Sequence, residues 1–194
     1  MRRRLSCDAG QGLIEFAMVT PIFLLLALGV IELGYAMLDQ HIVTKLSREG
    51  SNLISRDSTL QDAATAMRSM ATRPVDFSGT TSRLILSVIK RGGTTGTPNY
   101  NKDILYQRHQ IGGLPNASRL MTRGAVSFGS APDYTAPNSD TNTNLQITNL
   151  PPTVSLAPGG MVYVTEVYTT HSSITPLEGF GLALPETLYS IAYF

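Results

Sequence analysis

Apolar residues dominate one continuous stretch near the N-terminus, from Phe16 to Ile31, in which Thr20 is the only polar side chain. At about 1.5 Å per residue, a helix over this stretch is roughly 24 Å long. If it continues to Leu38, the helix can cross a hydrocarbon layer about 30 Å thick. The pattern therefore predicts a transmembrane helix over residues 11–38.

The apolar pattern then becomes one-sided. Over residues 40–56, apolar positions recur at helical spacing, and charged and polar residues fill the opposite positions. A second apolar face recurs over residues 59–72, where Ser58 and Gln61 fit a capping box. We therefore expect an amphipathic stalk and a second, short helix over residues 39–74.

The period becomes strand-like in the rest of the chain, which we expect to form a β-rich domain over residues 75–194. Glycine and proline turn signals separate five short runs of β-branched and aromatic residues, namely Arg83–Lys90, Ile104–Ile111, Ala125–Phe128, Met161–Thr169 and Leu188–Phe194. These runs predict an antiparallel sheet on which the helices pack, and hence an α+β fold. Glu166 in a mostly apolar run indicates an edge strand, and the polar stretch 131–152 indicates a long exposed loop.

Composition narrows the class of protein. The 194 residues carry 15 basic and 14 acidic side chains without a basic stripe, so nucleic-acid binding is not expected. Three arginines, at positions 2–4, precede the apolar stretch and favour a cytoplasmic N-terminus. Cys7 is the single cysteine and lies before the stretch, so the outer part would hold no disulfide.

The sequence shows no clear pattern of catalytic or metal-binding residues. The three histidines are far apart and share no ligand spacing, so we expect no metal and no cofactor. No nucleophile, base and orienting group can be assembled from the sequence. We therefore expect that the protein is not an enzyme.

The unusual residue is Glu15, a carboxylate at the start of the apolar stretch, with Gly10 five residues before it and Phe16 directly after it. A charge at this place is costly, so it indicates a role with a partner. The simpler alternative is a side chain that rests at the cytoplasmic interface of an ordinary signal anchor.

Two more residues of the stretch stand out. Pro21 removes one helix hydrogen bond, and the resulting kink could aid exit from the bilayer or have no function. Glu32 follows Glu15 by 17 positions, or roughly 25 Å along a helix. We expect Glu32 to rest at the outer membrane interface without a specific partner.

The N-terminal pattern of basic leader, Gly10, four residues, Glu15-Phe16 and apolar run resembles the processing motif of type IV prepilin-like proteins. The string GQGLIEFAMVTPIFLLLALGVIELGYA is similar to the start of the TadE-like and TadF-like pseudopilins of tight-adherence (Tad, or Flp) pili. Those proteins share a proline where Pro21 stands and an acidic residue like Glu32. The segment KLSREGSNL, residues 45–53, also resembles that family.

The resemblance implies a type IV pilin-like architecture and cleavage by a prepilin peptidase between Gly10 and Gln11, which would remove residues 1–10. Glu15 would then neutralise the new α-amine of a neighbouring subunit, and Phe16, Pro21 and Glu32 would also take part in assembly. The implied partners are the peptidase, other Tad pseudopilins or the major pilin, and the inner-membrane platform of the pilus. The protein would be a minor pseudopilin, anchored once in the bacterial inner membrane with a periplasmic C-terminal domain.

Two other interpretations stay open. The chain could be secreted with an ordinary signal peptide that is cleaved after Ala36, leaving a β-rich domain that binds a ligand or is an unrecognised hydrolase. It could also be a membrane-anchored binding domain that is never processed. The mature N-terminus separates these cases, because a pseudopilin begins at Gln11 and the secreted protein begins at Met37.

Overall fold

The computed structural model describes residues 8–175, 179 and 185–194. The chain forms α1 (Asp8–Ile54), α2 (Leu60–Met70), β1 (Ser82–Arg91), β2 (Asp103–Ile111), a short 3-10 helix (Thr143–Leu145), β3 (Met161–Thr170) and β4 (Thr187–Tyr193). The four strands make one antiparallel sheet in the order β2-β1-β3-β4. The predicted α+β fold, with a long apolar helix, a short helix and an antiparallel sheet, is confirmed.

The chain divides into two compact units. One consists of Met1–Leu38 and Ser172–Pro185, and the other of Asp39–His171 and Glu186–Phe194. The first unit contains the apolar part of α1, and the second contains the sheet, α2 and the rest of α1.

The apolar part of α1 in the first unit exposes its large side chains. Leu13, Phe16 and Val30 are each more than 70% exposed, and other large apolar residues as far as Leu38 are exposed as well. Among the described residues, one helix is long and apolar enough to cross a membrane. Its length and composition are compatible with single-pass membrane anchoring.

The second unit is built around the face of the sheet that the helices cover. The amphipathic part of α1 places Val43, Leu46 and Ile54 in this core, and Ile42 and Leu53 pack at its margin. The other buried members come from α2, the segment after it and the sheet: Leu60, Ala63, Ala64, Met67, Val75, Phe77, Leu84, Leu86, Val88 and Val167. Apolar residues at helical spacing thus meet alternate residues of the strands.

Gly50 sets how closely α1 approaches the sheet. A Cβ atom added at this position would lie 2.6 Å from Cγ2 and 2.8 Å from Oγ1 of Thr165 in β3. Real Cβ atoms do not approach other atoms so closely. A glycine that weakens the helix in isolation is therefore required by its contact with the strand.

The cap of α2 lies one residue later than the sequence predicts. Thr59, rather than Ser58, is the N-cap residue, and its hydroxyl accepts a hydrogen bond from the backbone N–H of Asp62. The same hydroxyl donates to the Asp62 carboxylate at 2.8 Å. Asp62, at the third helical position, rather than Gln61, is therefore the residue that pairs with the N-cap side chain.

The polar stretch 131–152 is not simply an exposed loop. Its backbone hydrogen-bonds to the outer edge of β2, where Ala136 N–H donates to the Tyr106 carbonyl and Ile147 N–H donates to the Asp103 carbonyl, both at 2.8 Å. Two of its own residues, Ala136 and Leu145, are buried against Ile104 of β2. The stretch covers an edge strand that would otherwise expose unpaired backbone groups.

The predicted strand Ala125–Phe128 is wrong. This segment is irregular, and Val126 and Phe128 pack at the margin of the small cluster formed by Ile104, Ala136 and Leu145. Its alternating apolar residues therefore cover part of the sheet unit without pairing with a strand.

The prediction that Glu166 lies on an edge strand is also wrong. Glu166 is in β3, which pairs with β1 on one side and β4 on the other, and its side chain is completely buried. The run MVYVTEVYTT has apolar and aromatic residues at both alternating positions, as expected for a strand that is covered on both faces. That signal could have placed Glu166 at the centre of the sheet.

Glu166 is satisfied by a polar network on the face of the sheet that the helices do not cover. Its carboxylate accepts hydrogen bonds from the Ser118 hydroxyl, from Arg119 N–H at 2.8 Å and from the Tyr189 hydroxyl at 3.1 Å. Arg108 donates to the same serine at 2.9 Å. The network fixes the loop after β2 onto the sheet.

Burial and the Glu166 charge shift the pKa values of three neighbouring groups, those of Arg108, Tyr168 and Tyr189. Burial lowers the pKa of the Arg108 guanidinium, while the nearby Glu166 carboxylate opposes that change. Burial and the same carboxylate raise the pKa of Tyr168 to about 12 and also raise the pKa of Tyr189. Both tyrosines therefore stay neutral and can donate hydrogen bonds throughout the physiological range.

Candidate processing and assembly segment

Gly10 and Gln11, the predicted cleavage site, lie in the first turns of α1, and both residues are exposed. A Cβ atom added at Gly10 would have no described neighbour within 4 Å outside the local helix backbone. No side chain in the described part of the chain therefore lies against Gly10. A peptidase that needs an extended substrate must first unwind this end of the helix.

Glu15 lies one turn after Gln11, and the two side chains meet. The Gln11 side-chain amide donates to the Glu15 carboxylate at 3.1 Å, a contact typical of residues four apart on a helix. Phe16, the next residue, is 72% exposed. The start of the apolar segment thus presents a carboxylate within reach of residue 11, next to an exposed aromatic ring.

Pro21 lies inside α1, which is helical on both sides of it. Proline has no N–H, so the carbonyl of Ala17 loses its usual helical donor. The Thr20 hydroxyl donates to the Phe16 carbonyl at 2.7 Å, one residue earlier. A role for Pro21 in leaving the bilayer stays a prediction.

Glu32 has specific partners, so the expectation that it lacks them is wrong. Its side chain is only 3% exposed. The carboxylate accepts a hydrogen bond from Ile174 N–H, at 3.1 Å from each oxygen, and another from Thr175 N–H at 2.8 Å. These donors lie more than 140 residues away in sequence, and backbone N–H groups leave no signal in residue type. The sequence could not have identified them.

The predicted site residues therefore fall into separate places along one helix. Gly10, Gln11, Glu15 and Phe16 lie within the first turns of α1, whereas Pro21 and Glu32 lie further along. In the described part of the chain, no group of three or more His, Cys, Asp or Glu residues could hold a metal ion. The arrangement offers an exposed apolar surface with a polar group at its start, which suits packing between helices in a membrane or filament.

The fold and this segment define a class of protein: an α+β domain that follows a single apolar helix compatible with membrane anchoring. The family model of TadE-like protein matches residues 10–52, within α1. The resemblance drawn from the sequence is thus confirmed for this segment, and it relates the segment to the TadE-like proteins of the Tad pilus system. Comparison with curated proteins and with solved structures found no match to the chain.

Proposed function

We propose that this protein is a minor pseudopilin that takes part in assembly of a Tad-type pilus. A prepilin peptidase removes residues 1–10, and the remaining chain begins at Gln11. The helix over residues 11–38 anchors the chain once in the bacterial inner membrane, with the N-terminus in the cytoplasm and the sheet unit in the periplasm. Other Tad pseudopilins or the major pilin, together with the inner-membrane platform, are the proposed partners.

The observation that carries this proposal is the exposed carboxylate of Glu15 at the start of an exposed apolar helix surface, inside the segment that matches TadE-like proteins. Such a surface needs lipid or other apolar helices around it. Cleavage after Gly10 would create an α-amine at residue 11, whose side chain already reaches Glu15. In a filament, the amine of one subunit pairs with Glu15 of the next, because a wrong register leaves both charges unpaired in an apolar environment.

The two other interpretations find less support. Cleavage by an ordinary signal peptidase after Ala36 would fall in the interior of α1, which runs from Asp8 to Ile54, whereas cleavage after Gly10 falls in its first turn. An unprocessed anchor would need neither Gly10 nor a carboxylate at position 15. The match to TadE-like proteins begins at residue 10, directly at the proposed cleavage site.

The test compares two glycine variants in cells that make the pilus. Gly10→Val places a β-branched side chain on the cleavage site, whereas Gly12→Val makes the same change two residues later, where the structure also leaves room for a Cβ atom. We expect intact-mass measurement to find a chain beginning at Gln11 for the unaltered protein and for Gly12→Val. Gly10→Val should retain its leader and lose pilus production.

A Gly10→Val chain that still begins at Gln11 would contradict processing at this site. An unaltered protein that begins at Met37 would support the secreted alternative. A chain that keeps its leader in cells with normal pili would support the unprocessed anchor.

A further inference from the structure

Glu32 joins the apolar helix to a second part of the chain within the first unit. Two consecutive backbone N–H groups, those of Ile174 and Thr175, point at its carboxylate. Consecutive backbone donors of this kind form an anion-binding concavity. The segment 172–175, which we call the strap, thus shields from the surroundings the one acidic side chain between Phe16 and Leu38.

The surface around this contact is apolar. On α1, the large side chains on either side of Glu32 in sequence are about half exposed: Ile31 is 48% exposed and Leu33 is 53% exposed. In the strap, Ile174 turns its backbone N–H toward Glu32 while its side chain remains 59% exposed. The strap therefore adds an apolar side chain to a helix surface that is already apolar.

The position of Glu32 along the helix indicates the depth of the strap. Glu15 and Glu32 are 17 residues apart, which corresponds to about 25 Å of helix. If Glu15 lies at the inner boundary of a hydrocarbon layer about 30 Å thick, Glu32 lies close to the outer boundary. Tyr35, about one turn later, is 47% exposed, and tyrosine is enriched at this level of a membrane.

We propose that the strap is a membrane-contact site, in which Glu32 holds the backbone of Ile174 and Thr175 so that the Ile174 side chain enters the outer lipid interface. The occupant of this surface is lipid, because the strap continues the exposed apolar surface of α1. Glu32 acts as a positioning residue that sets how deeply the strap lies. This inference rests on the membrane anchoring in the proposed function, but it needs neither cleavage nor pilus assembly.

The experiment measures the depth of spin labels on the full chain in vesicles of phosphatidylethanolamine and phosphatidylglycerol. In a Cys7→Ser background, labels are placed by Ile174→Cys in the strap, Leu24→Cys in the apolar helix and Thr95→Cys in an exposed turn of the sheet unit. Collision with oxygen reports lipid, and collision with a nickel chelate reports water. We expect the label at 174 to collide with nickel several-fold less than the label at 95 and to lie shallower than the label at 24.

Changing the acceptor then tests Glu32 itself. Glu32→Leu removes the carboxylate that accepts the hydrogen bonds of the strap, so nickel collision at position 174 should rise several-fold toward the value at 95, while position 24 stays unchanged. Glu32→Gln keeps one carbonyl acceptor and should give a smaller rise. No change at 174 in Glu32→Leu would overturn the positioning role.

The outcomes separate this inference from the proposed function. If position 24 is protected and position 174 of the unaltered chain is as open to nickel as position 95, the strap does not contact lipid and the inference fails alone. If position 24 is open to nickel, the membrane anchoring itself fails. Spin–spin broadening at 174 in dilute vesicles would show that a second copy covers the strap, and this would overturn the assignment to lipid.

Discussion

The two parts of α1 use apolar residues in opposite ways. Up to Leu38, large apolar side chains are exposed around the helix, and a Cβ atom added at either Gly29 or Gly34 would have no described neighbour within 4 Å. After Asp39, the apolar side chains lie in the core of the sheet unit, and Gly50 is in close contact with β3. The same helix therefore has two kinds of surroundings. The sheet unit buries the apolar side chains after Asp39, whereas those up to Leu38 remain exposed.

The stability of the sheet unit originates in the environment that buries apolar side chains. Side chains that are buried in the sheet unit contribute to the free energy of unfolding of that unit, whereas the exposed side chains of the apolar part of α1 do not. Matched substitutions of the same residue type in the two parts of α1 should therefore have different effects.

Leucine gives the largest contrast. Leu46 is 6% exposed in the core, and Leu46→Ala should lower the free energy of unfolding by about 2–5 kcal/mol because it leaves a cavity. Leu26 is 66% exposed, so Leu26→Ala should change that free energy by no more than about 0.5 kcal/mol. Urea unfolding of the full chain in detergent, followed by the near-ultraviolet circular dichroism of its tyrosines, measures both. Equal losses in the two variants would contradict the division of α1.

The same contrast shows how much of the fold was predictable. The apolar run and the later one-sided period predicted both parts of α1, and β-branched runs predicted the four observed strands, because local periodicity reflects which faces are buried. Ala125–Phe128 has the same local pattern without a pairing strand, so pattern alone could not distinguish it. The charge of Glu166 suggests an exposed edge strand, but the apolar residues on both faces of β3 indicate a central strand, and the structure follows the second signal.

Only part of the candidate site could be predicted from the sequence. The spacing of Gly10, Glu15 and Phe16 is local, and the match to TadE-like proteins confirms the resemblance of the segment that contains these residues. The partners of Glu32 depend on tertiary structure, since they are backbone groups of a loop after β3. Sequence could indicate that an acidic residue in an apolar helix needs a partner, but could not identify it.

A glycine-to-alanine change should create a steric overlap in one part of α1 and none in the other. Alanine favours a helix over glycine by up to about 1 kcal/mol. At Gly50 that gain is outweighed by overlap with Thr165, so Gly50→Ala should destabilise the sheet unit by about 1–2 kcal/mol. Gly29→Ala meets no described neighbour and should leave unfolding of the sheet unit unchanged. The denaturation midpoints of the two variants provide the measurement.

A second substitution tests the cause of the Gly50 effect. Thr165→Ala removes Cγ2 and Oγ1, the two atoms that a Cβ at position 50 would overlap. If steric overlap is responsible, the loss caused by Gly50→Ala should be smaller in a Thr165→Ala chain than in the unaltered chain. Strictly additive effects would show that the helix backbone, rather than this contact, determines the result.

Hydroxyl groups give the smallest contrast. The Ser51 hydroxyl donates to the Ala192 carbonyl of β4 at 2.9 Å, so it links α1 to the sheet, whereas the Thr20 hydroxyl donates only to Phe16 within the helix. Ser51→Ala should cost about 0.5–1 kcal/mol in unfolding free energy and speed hydrogen exchange in β4, because a net hydrogen bond contributes about that much. Thr20→Val should change neither quantity. If Ser51→Ala left exchange in β4 unaltered while Thr20→Val accelerated it, the amphipathic part of α1 would not be the part that holds the sheet.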